Sequence, residues 1–468
     1  LAVVALVVAS CTAGDYSSGV APAPTTTAPP PTAPATSTTS TSLAQPTAAA
    51  CPATPPRAGP DPNRPRYVLT AGVRPGDGTV DGQLRVVFTP DLDTDRLVFR
   101  LWPNGPRSSS AGVRLDTGPV TLSGRPSTAN LDDPTTLVVR SGAGFRAGQP
   151  VEASMSWHLE VTGPADDRIS RNGDALRLGS FFPILPWEPG AGWDTEPAVG
   201  GFAEASTAPT ADFDLTVTVP DGFGVLASGV PDAGRPGHFT AAAMRDVALS
   251  VGRFATASAV AMAPQAVQVT VGVAEGLTGS PATYLDRAVR SLEDFARRFG
   301  PYPWPTFTLA VTPALGGGIE YPGHVMQGPN TLGVTSHEVG HQWFYGLVGN
   351  DQGRDPWLDE GLASWAEARF EGTLARFKAQ VVPPAAKGML GLPMTYWSEH
   401  QDAYSAGVYT QGVQALAALG DPDLVDCALR VYAAVNAYRI ARQPDLVRAA
   451  AAVFPDAAAT LAGYGVKG

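Results

Sequence analysis

The stretch Ser336-His337-Glu338-Val339-Gly340-His341-Gln342-Trp343-Phe344 constrains this chain more than any other. Residues four apart lie on one face of a helix, so His337 and His341 can present two imidazoles to one metal ion. Glu338 follows the first of them and sits beside that face, within reach of a water at the metal. A helix is therefore predicted from about Thr335. Taken alone, the pattern also describes a surface helix bearing two solvated histidines and a glutamate, and the flanking chain has to decide. A tetrahedral zinc site needs a third protein ligand and keeps one position for water. Glu360, in the segment WLDEGLASWAE at 357–367, meets that need. It opens a second helix, predicted from about Asp359 through Phe370, and the loop Gly346–Pro356 lets that helix return beside the first. The implied cofactor is one Zn²⁺ per chain, with His337, His341 and Glu360 as ligands and Glu338 as the base.

The rest of the composition fits a globular protein of several domains. The chain has 468 residues, of which 44% are hydrophobic and 16% charged, a globular balance with sizeable cores. Its formal charge of −11 comes without Lys/Arg runs, which argues against nucleic acid as the main partner. Of the six histidines two fall in the one motif, so few remain to build a metal site elsewhere.

Residues 1–11 read as a truncated lipoprotein signal peptide. Leu1–Ser10 is apolar but far shorter than the ~20 residues that span a bilayer, and Val8-Ala9-Ser10-Cys11 resembles a lipobox. The expectation is a lipid on Cys11 that anchors the protein to the outer face of a bacterial cytoplasmic membrane; the alternative is an ordinary secretory signal and a secreted protein. Residues 12–65 are dominated by Thr, Pro, Ala and Ser, a composition that buries no core and predicts a disordered tether. Lipidation of Cys11 leaves Cys51 and Cys427, which either pair in an oxidising compartment or stay as two thiols.

Residues 66–262 alternate apolar and polar positions over short runs such as FDLTVTVP at 213–220, which ends in a Pro-Asp-Gly turn. They predict an all-β domain, sandwich-like or saddle-shaped. From 263 to 420 the pattern changes. Pro281–Phe299 has apolar residues at helical spacing, and strands are expected at Val267–Val273 and Phe307–Thr312. After a break at Pro383–Pro393, helical patterns return at Tyr409–Gly420, Leu424–Ile440 and Leu446–Leu461, so that 421–468 forms a short C-terminal helical segment. The fold class is multidomain α+β.

Set together, these segments resemble the M1 family of gluzincin aminopeptidases. HEVGHQWFYGLVGNDQGRDPWLDEGLASWAE at 337–367 looks like that family's zinc core. Gly317-Gly318-Ile319-Glu320-Tyr321 is similar to its G-x-M-E-N exopeptidase motif, and Tyr409-Thr410-Gln411-Gly412 to its Y-x-K-G segment. Phe182-Pro183, the run at 213–220 and MRDVALS at 244–250 look like its N-terminal domain. The resemblance implies a thermolysin-like, mainly helical peptidase domain after the β domain. It also implies roles: Glu338 as base and then acid, Tyr409 as donor to the oxyanion, Glu320 as acceptor for a substrate's free α-ammonium, and Gly317 and Gly318 as the edge along which the peptide backbone lies. Tyr404 is the other tyrosine within reach of the oxyanion role, and Asp174 lies where the family often has a second acidic anchor, although a turn aspartate after Asn172-Gly173 accounts for it as well.

The chain departs from the family's pattern at Tyr321, where asparagine is usual, and at Gln411, where lysine is usual. With 48 residues after Gly420, it further reads as a short form lacking the large C-terminal helical domain, its cleft correspondingly open. The partners implied are peptides with a free N-terminus. A zinc endopeptidase of the same fold and a non-catalytic surface binding protein are the competing readings.

Overall fold

The computed structural model describes residues 50–200 and 207–468. Its β region is built on a mixed sheet of nine strands. Arg66–Arg74 runs antiparallel to Thr79–Phe88 and parallel to Ala211–Thr218. Along Arg66–Arg74 the alternation puts Tyr67, Leu69, Ala71 and Val73 into the core and the residues between them outward, the period of two that a half-buried strand requires. A three-stranded sheet (Thr94–Arg100, Thr136–Phe145, Thr128–Asp133), a four-stranded one (Ile169–Asn172, Ala175–Leu178, Leu249–Gly252, Gly224–Ala227) and the pair Trp187–Glu188 and Gly192–Trp193 belong to the N-terminal β domain.

A five-stranded sheet carries the candidate chemistry. Its order is Phe254–Met262, Ala266–Ala274, Thr306–Val311, His324–Gln327, Gly318–Tyr321, so the segment with Glu320 is an edge strand. The expected boundary at 262/263 falls in the turn joining the first two strands. Helix Pro281–Phe299 covers the sheet. Ser280 accepts from the Ala282 N–H, Pro281 fills the first turn, Tyr284, Ala288, Leu292, Phe295 and Phe299 face inward, and Gly300 ends the helix at φ 98°.

Beyond this sheet the chain is a long run of helices, and here the reading of a short form without a large helical domain is corrected. From Val334 to Ala462 the chain forms helices that include Trp357–Glu371, Leu374–Ala379, Met394–Glu399, Gln411–Ala417, Pro422–Val435, Gln443–Ala451 and Ala457–Ala462. The breaks at Pro383–Pro393 and Gly420 made the last helices look like an appendage. They are instead locked to the earlier ones: Asp426 Oδ1 accepts from Trp365 Nε1 at 2.8 Å, its Oδ2 takes the Arg298 guanidinium at 2.6 Å, and Arg430 Nε donates to the Arg298 carbonyl at 2.6 Å. One contiguous core runs from Tyr67 to Val466.

The lipid anchor on Cys11, and the membrane-attached placement that rested on it, are also withdrawn. Cys51 and Cys427 are bonded to each other, so the described residues offer no thiol for acylation. Among them no helix is long and apolar enough to cross a membrane. Cys11, the signal segment 1–11 and most of the tether lie outside the described residues. The described end of that tether is pinned to the body by the disulfide, by the Ala58 N–H donating to the Ala434 carbonyl at 2.9 Å, and by an Arg64–Asp212 ion pair at 2.8 Å.

Candidate active site

The motif helix is short, Val334–Gly340, and its residues from Thr335 on are buried. It lies against the ligand helix Trp357–Glu371 at a glycine: a Cβ on Gly340 would come within 3.2–3.4 Å of Ala363 and Ala366. This close approach brings three acceptor atoms together. His337 Nε2 is 3.1 Å from Glu360 Oε2, His341 Nε2 is 3.1 Å from His337 Nε2, and His341 Nε2 is 3.4 Å from Glu360 Oε2. Ligands bound at 2.0–2.1 Å to a tetrahedral ion stand roughly 3.3 Å apart, so the spacing fits a zinc ion. The far side of each ring supports the same conclusion. His337 Nδ1 faces the Glu367 carboxylate at 3.3 Å and His341 Nδ1 donates to the Phe344 carbonyl at 3.2 Å. Each Nδ1 then carries the proton and each Nε2 a lone pair aimed at the common point. Three electron-rich atoms with no proton among them fit a cation.

With no cation between them, the carboxylates would hold protons on these rings. Burial alone lowers the His341 pKa, yet Glu320 and Glu360 outweigh it and push it up to about 9. For Glu360 burial is likewise overridden, by the hydrogen bonds from His337 and His341, and its pKa falls. Glu338 lies beside this cluster and is not part of it. Its Oε2 is buried without a hydrogen-bond partner, and burial, reinforced by Glu320 and Glu360 and opposed by the imidazoles, pushes its pKa up to about 8. A carboxyl oxygen buried, unpaired and next to a cation site is disposed to move a proton.

The edge strand Gly318–Tyr321 forms one wall. Gly318 is a steric necessity, because a Cβ there would lie 2.4 Å from the Glu338 carboxylate, whereas a Cβ on Gly317 would meet open space. Gln342, next to His341, ties the strand's hairpin to the motif helix: its Oε1 accepts from the Gly323 N–H at 2.8 Å and its Nε2 donates to the Tyr321 carbonyl at 3.0 Å. Glu320 is buried, with a pKa raised chiefly by burial, and one of its oxygens, one Glu338 oxygen and a His341 nitrogen lie within 4.8 Å of one another.

On the opposite side, a π-helical turn at Ala406–Thr410 presents Tyr409, whose ring stacks on His337 with centroids 5.6 Å apart. Burial first and Glu360 second keep its hydroxyl protonated. Gly412 explains how that turn gets so close: a Cβ there would lie 2.7 Å from the Gly361 Cα, next to Glu360. Tyr404 packs edge-on against Tyr409 at 5.7 Å, its hydroxyl buried without a partner.

Residues 284–458 match the family model of the peptidase family M1 domain. The structure resembles an M1 zinc metallopeptidase from Deinococcus radiodurans with a TM-score of 0.66 at 20% sequence identity, over 86% of this chain and 93% of that one. A form of that protein bound to a Tyr-Ser-Ala substrate gives 0.65 at 20% identity over 86% and 94%. This chain has the M1 peptidase fold. Among curated proteins it is 32% identical to leukotriene A-4 hydrolase of Xenopus laevis over 98 residues, and 28% identical to leucine aminopeptidase 2 of Coccidioides immitis over 188 residues. Those stretches cover 19% and 35% of this chain, and only 16% and 29% of the two relatives.

Within the M1 fold, the two departures from pattern have local explanations. The Tyr321 hydroxyl turns away from Glu338 toward the β domain, 3.2 Å from Ser180 Oγ, which donates to Asp246 Oδ2 at 2.7 Å. Gln411 is buried, donating to the Ala386 and Gly407 carbonyls at 2.8 and 3.1 Å and accepting from the Gly388 N–H at 2.8 Å, so it braces the turn that carries Tyr409. Asp174 is in the hairpin turn after Gly173, 3.9 Å from Arg253, apart from the cluster. Sequence reasoning missed Glu367, which backs His337 and lies two helical turns after Glu360; that spacing on one helix face was the available signal. It also missed Gln352 and Asp359.

Proposed function

We propose that this protein is a zinc-dependent metallopeptidase that removes the N-terminal residue of peptides. The observation that carries it is the convergence of His337 Nε2, His341 Nε2 and Glu360 Oε2 with an unpaired Glu338 oxygen beside them. A zinc ion held by these three ligands supplies a Lewis acid for the scissile carbonyl. Glu338 takes a proton from the attacking water and returns it to the leaving amine. Tyr409 donates a hydrogen bond to the oxygen that gains charge in the transition state. Glu320 accepts the substrate's α-ammonium through a charge-assisted hydrogen bond, and the edge at Gly317 and Gly318 takes the peptide backbone as an added strand. Residues 66–262 act as the scaffold that holds this edge. The tripeptide bound by the Deinococcus protein supports peptides as the substrate class.

The Cys51–Cys427 bond supports an oxidising, extracytoplasmic compartment, and we infer a secreted protein. The decisive assay is a panel of aminoacyl-amide substrates with and without chelator, alongside N-acetylated peptides of matched sequence. Hydrolysis that is chelator-sensitive and abolished by acetylation supports the exopeptidase. Undiminished cleavage of acetylated peptides would transfer the same zinc chemistry to an endopeptidase, and no hydrolysis of either class would remove the enzyme reading.

A further inference from the structure

Glu320 is held by a residue that no motif singles out. Gln352 lies in the connection between the motif helix and the ligand helix and is 1% exposed. Its Nε2 donates to Glu320 Oε1 at 3.2 Å and to Asp359 Oδ2 at 2.8 Å. Asp359 immediately precedes Glu360, and its other oxygen accepts from Asn350 Nδ2 at 3.1 Å. The Asn350 amide also donates to the Asp355 carbonyl at 3.0 Å. A primary amide nitrogen has two N–H bonds, so these two carboxylates account for both, and the Gln352 amide is fixed in orientation. An unbroken line of side chains thus connects the edge strand that bears Glu320 to the first turn of the helix that bears Glu360.

We propose that Gln352 is a positioning residue for recognition of the substrate's α-ammonium. It sets the Glu320 carboxylate at a fixed distance from the metal centre by tethering it, through Asp359, to the ligand helix. The choice of residue suits this task. An amide donor orients the carboxylate while leaving its negative charge in place; a lysine or arginine in the same position would neutralise Glu320 and compete with the incoming ammonium. Glu320 sits on an edge strand and Glu360 on a helix; Gln342 ties the strand's hairpin backbone to the motif helix, and Gln352 links the Glu320 carboxylate itself to the helix that bears Glu360. The proposal rests on the reading of Glu320 as the ammonium acceptor.

The test compares two zinc-binding inhibitors, leucine hydroxamate, which carries an α-ammonium, and acetohydroxamate, which does not. Gln352→Met preserves size and removes both donors. The expected result is a rise of about tenfold in Ki for leucine hydroxamate, the scale on which supporting residues act, with the Ki for acetohydroxamate and the zinc content unchanged. In a Glu320→Ala background, Gln352→Met should add nothing, because its effect passes through Glu320. Ki values that rise together for both inhibitors, no rise for either, or effects that add in the double variant would each overturn the proposal. If Glu320→Ala itself leaves leucine hydroxamate binding intact, the ammonium reading fails and the Gln352 role fails with it; an effect of Glu320→Ala without one of Gln352→Met sinks only the latter. Should Gln352→Met not fold, Gln352→Glu, which keeps the shape and exchanges the donor for an acceptor, takes its place: the same selective rise in Ki supports the role, and its absence overturns it.

Discussion

The Nε2 atoms of His337 and His341 face each other at 3.1 Å, and both face one oxygen of Glu360. Two lone pairs and a carboxylate at this distance repel unless a cation or a proton lies among them. Removing the metal should therefore cost stability as well as activity, since an ion that binds only the folded state stabilises it by RT ln(1 + [L]/Kd). Dialysis against a chelator is expected to abolish hydrolysis and lower Tm, and stoichiometric Zn²⁺ to restore both. A chelated protein with unchanged Tm and full activity would exclude the site.

Glu338 stands next to this cluster without joining it. Its Oε2 has no hydrogen-bond partner, and the cation position is already supplied with three donors. Glu338→Gln should consequently keep its zinc while losing about 10²–10⁴ in kcat, the range for a positioned acid–base group. Metal analysis beside steady-state kinetics checks this. Loss of zinc in the variant would reassign Glu338 as a ligand.

Glu367 acts one step further out. Its carboxylate is 3.3 Å from His337 Nδ1, the arrangement that fixes a ligand's tautomer and raises its basicity. Glu367→Ala should weaken zinc binding by roughly 10–100-fold with the circular dichroism spectrum unchanged. Competition with a fluorescent zinc chelator measures it directly, and unaltered affinity would leave Glu367 as a surface ion pair.

How much of this could be read in the chain follows the range of the interactions. The grouping of His337, His341 and Glu360 was legible because helical spacing is local and a zinc site calls for three protein donors. Helix Pro281–Phe299 was legible from its apolar period and the glycine that ends it. The strand Gly318–Tyr321 was not, because its pairing comes from His324–Gln327 and its glycines argue for a loop. Gln352 was invisible, since its meaning depends on Glu320, 32 positions earlier. The helical body after Glu371 was misjudged because proline and glycine breaks mark the ends of helices and carry no information about whether the pieces reassociate. Tertiary contacts such as those of Asp426 with Arg298 and Trp365, and of Arg430 with Arg298, do that. Tyr409 stacks on His337, and its approach depends on a long-range contact: a Cβ on Gly412 would lie 2.7 Å from the Gly361 Cα.

Asp246 supplies a pH dependence independent of the metal. It is 3% exposed at the junction of the β domain with the edge strand, accepting from Ser180 Oγ and the Val247 N–H, both at 2.7 Å. Burial pushes its pKa up to about 7, against the pull of those hydrogen bonds and of Arg168, while the unfolded chain titrates near 3.9. Between these two values the folded protein binds more protons than the unfolded one, so stability falls as pH rises. The contribution is fully present below about 3.9 and is lost once pH passes about 7. Asp246→Asn has no such proton to release. The difference in Tm between wild type and Asp246→Asn should therefore move steadily in the variant's favour from pH 4 to pH 8, by a few degrees at most for a chain of this size. Thermal melts at matched ionic strength across that range are sufficient. Two curves that stay parallel throughout would show that Asp246 is already ionised in the folded protein, and that Ser180, Val247 and Arg168 together outweigh its burial.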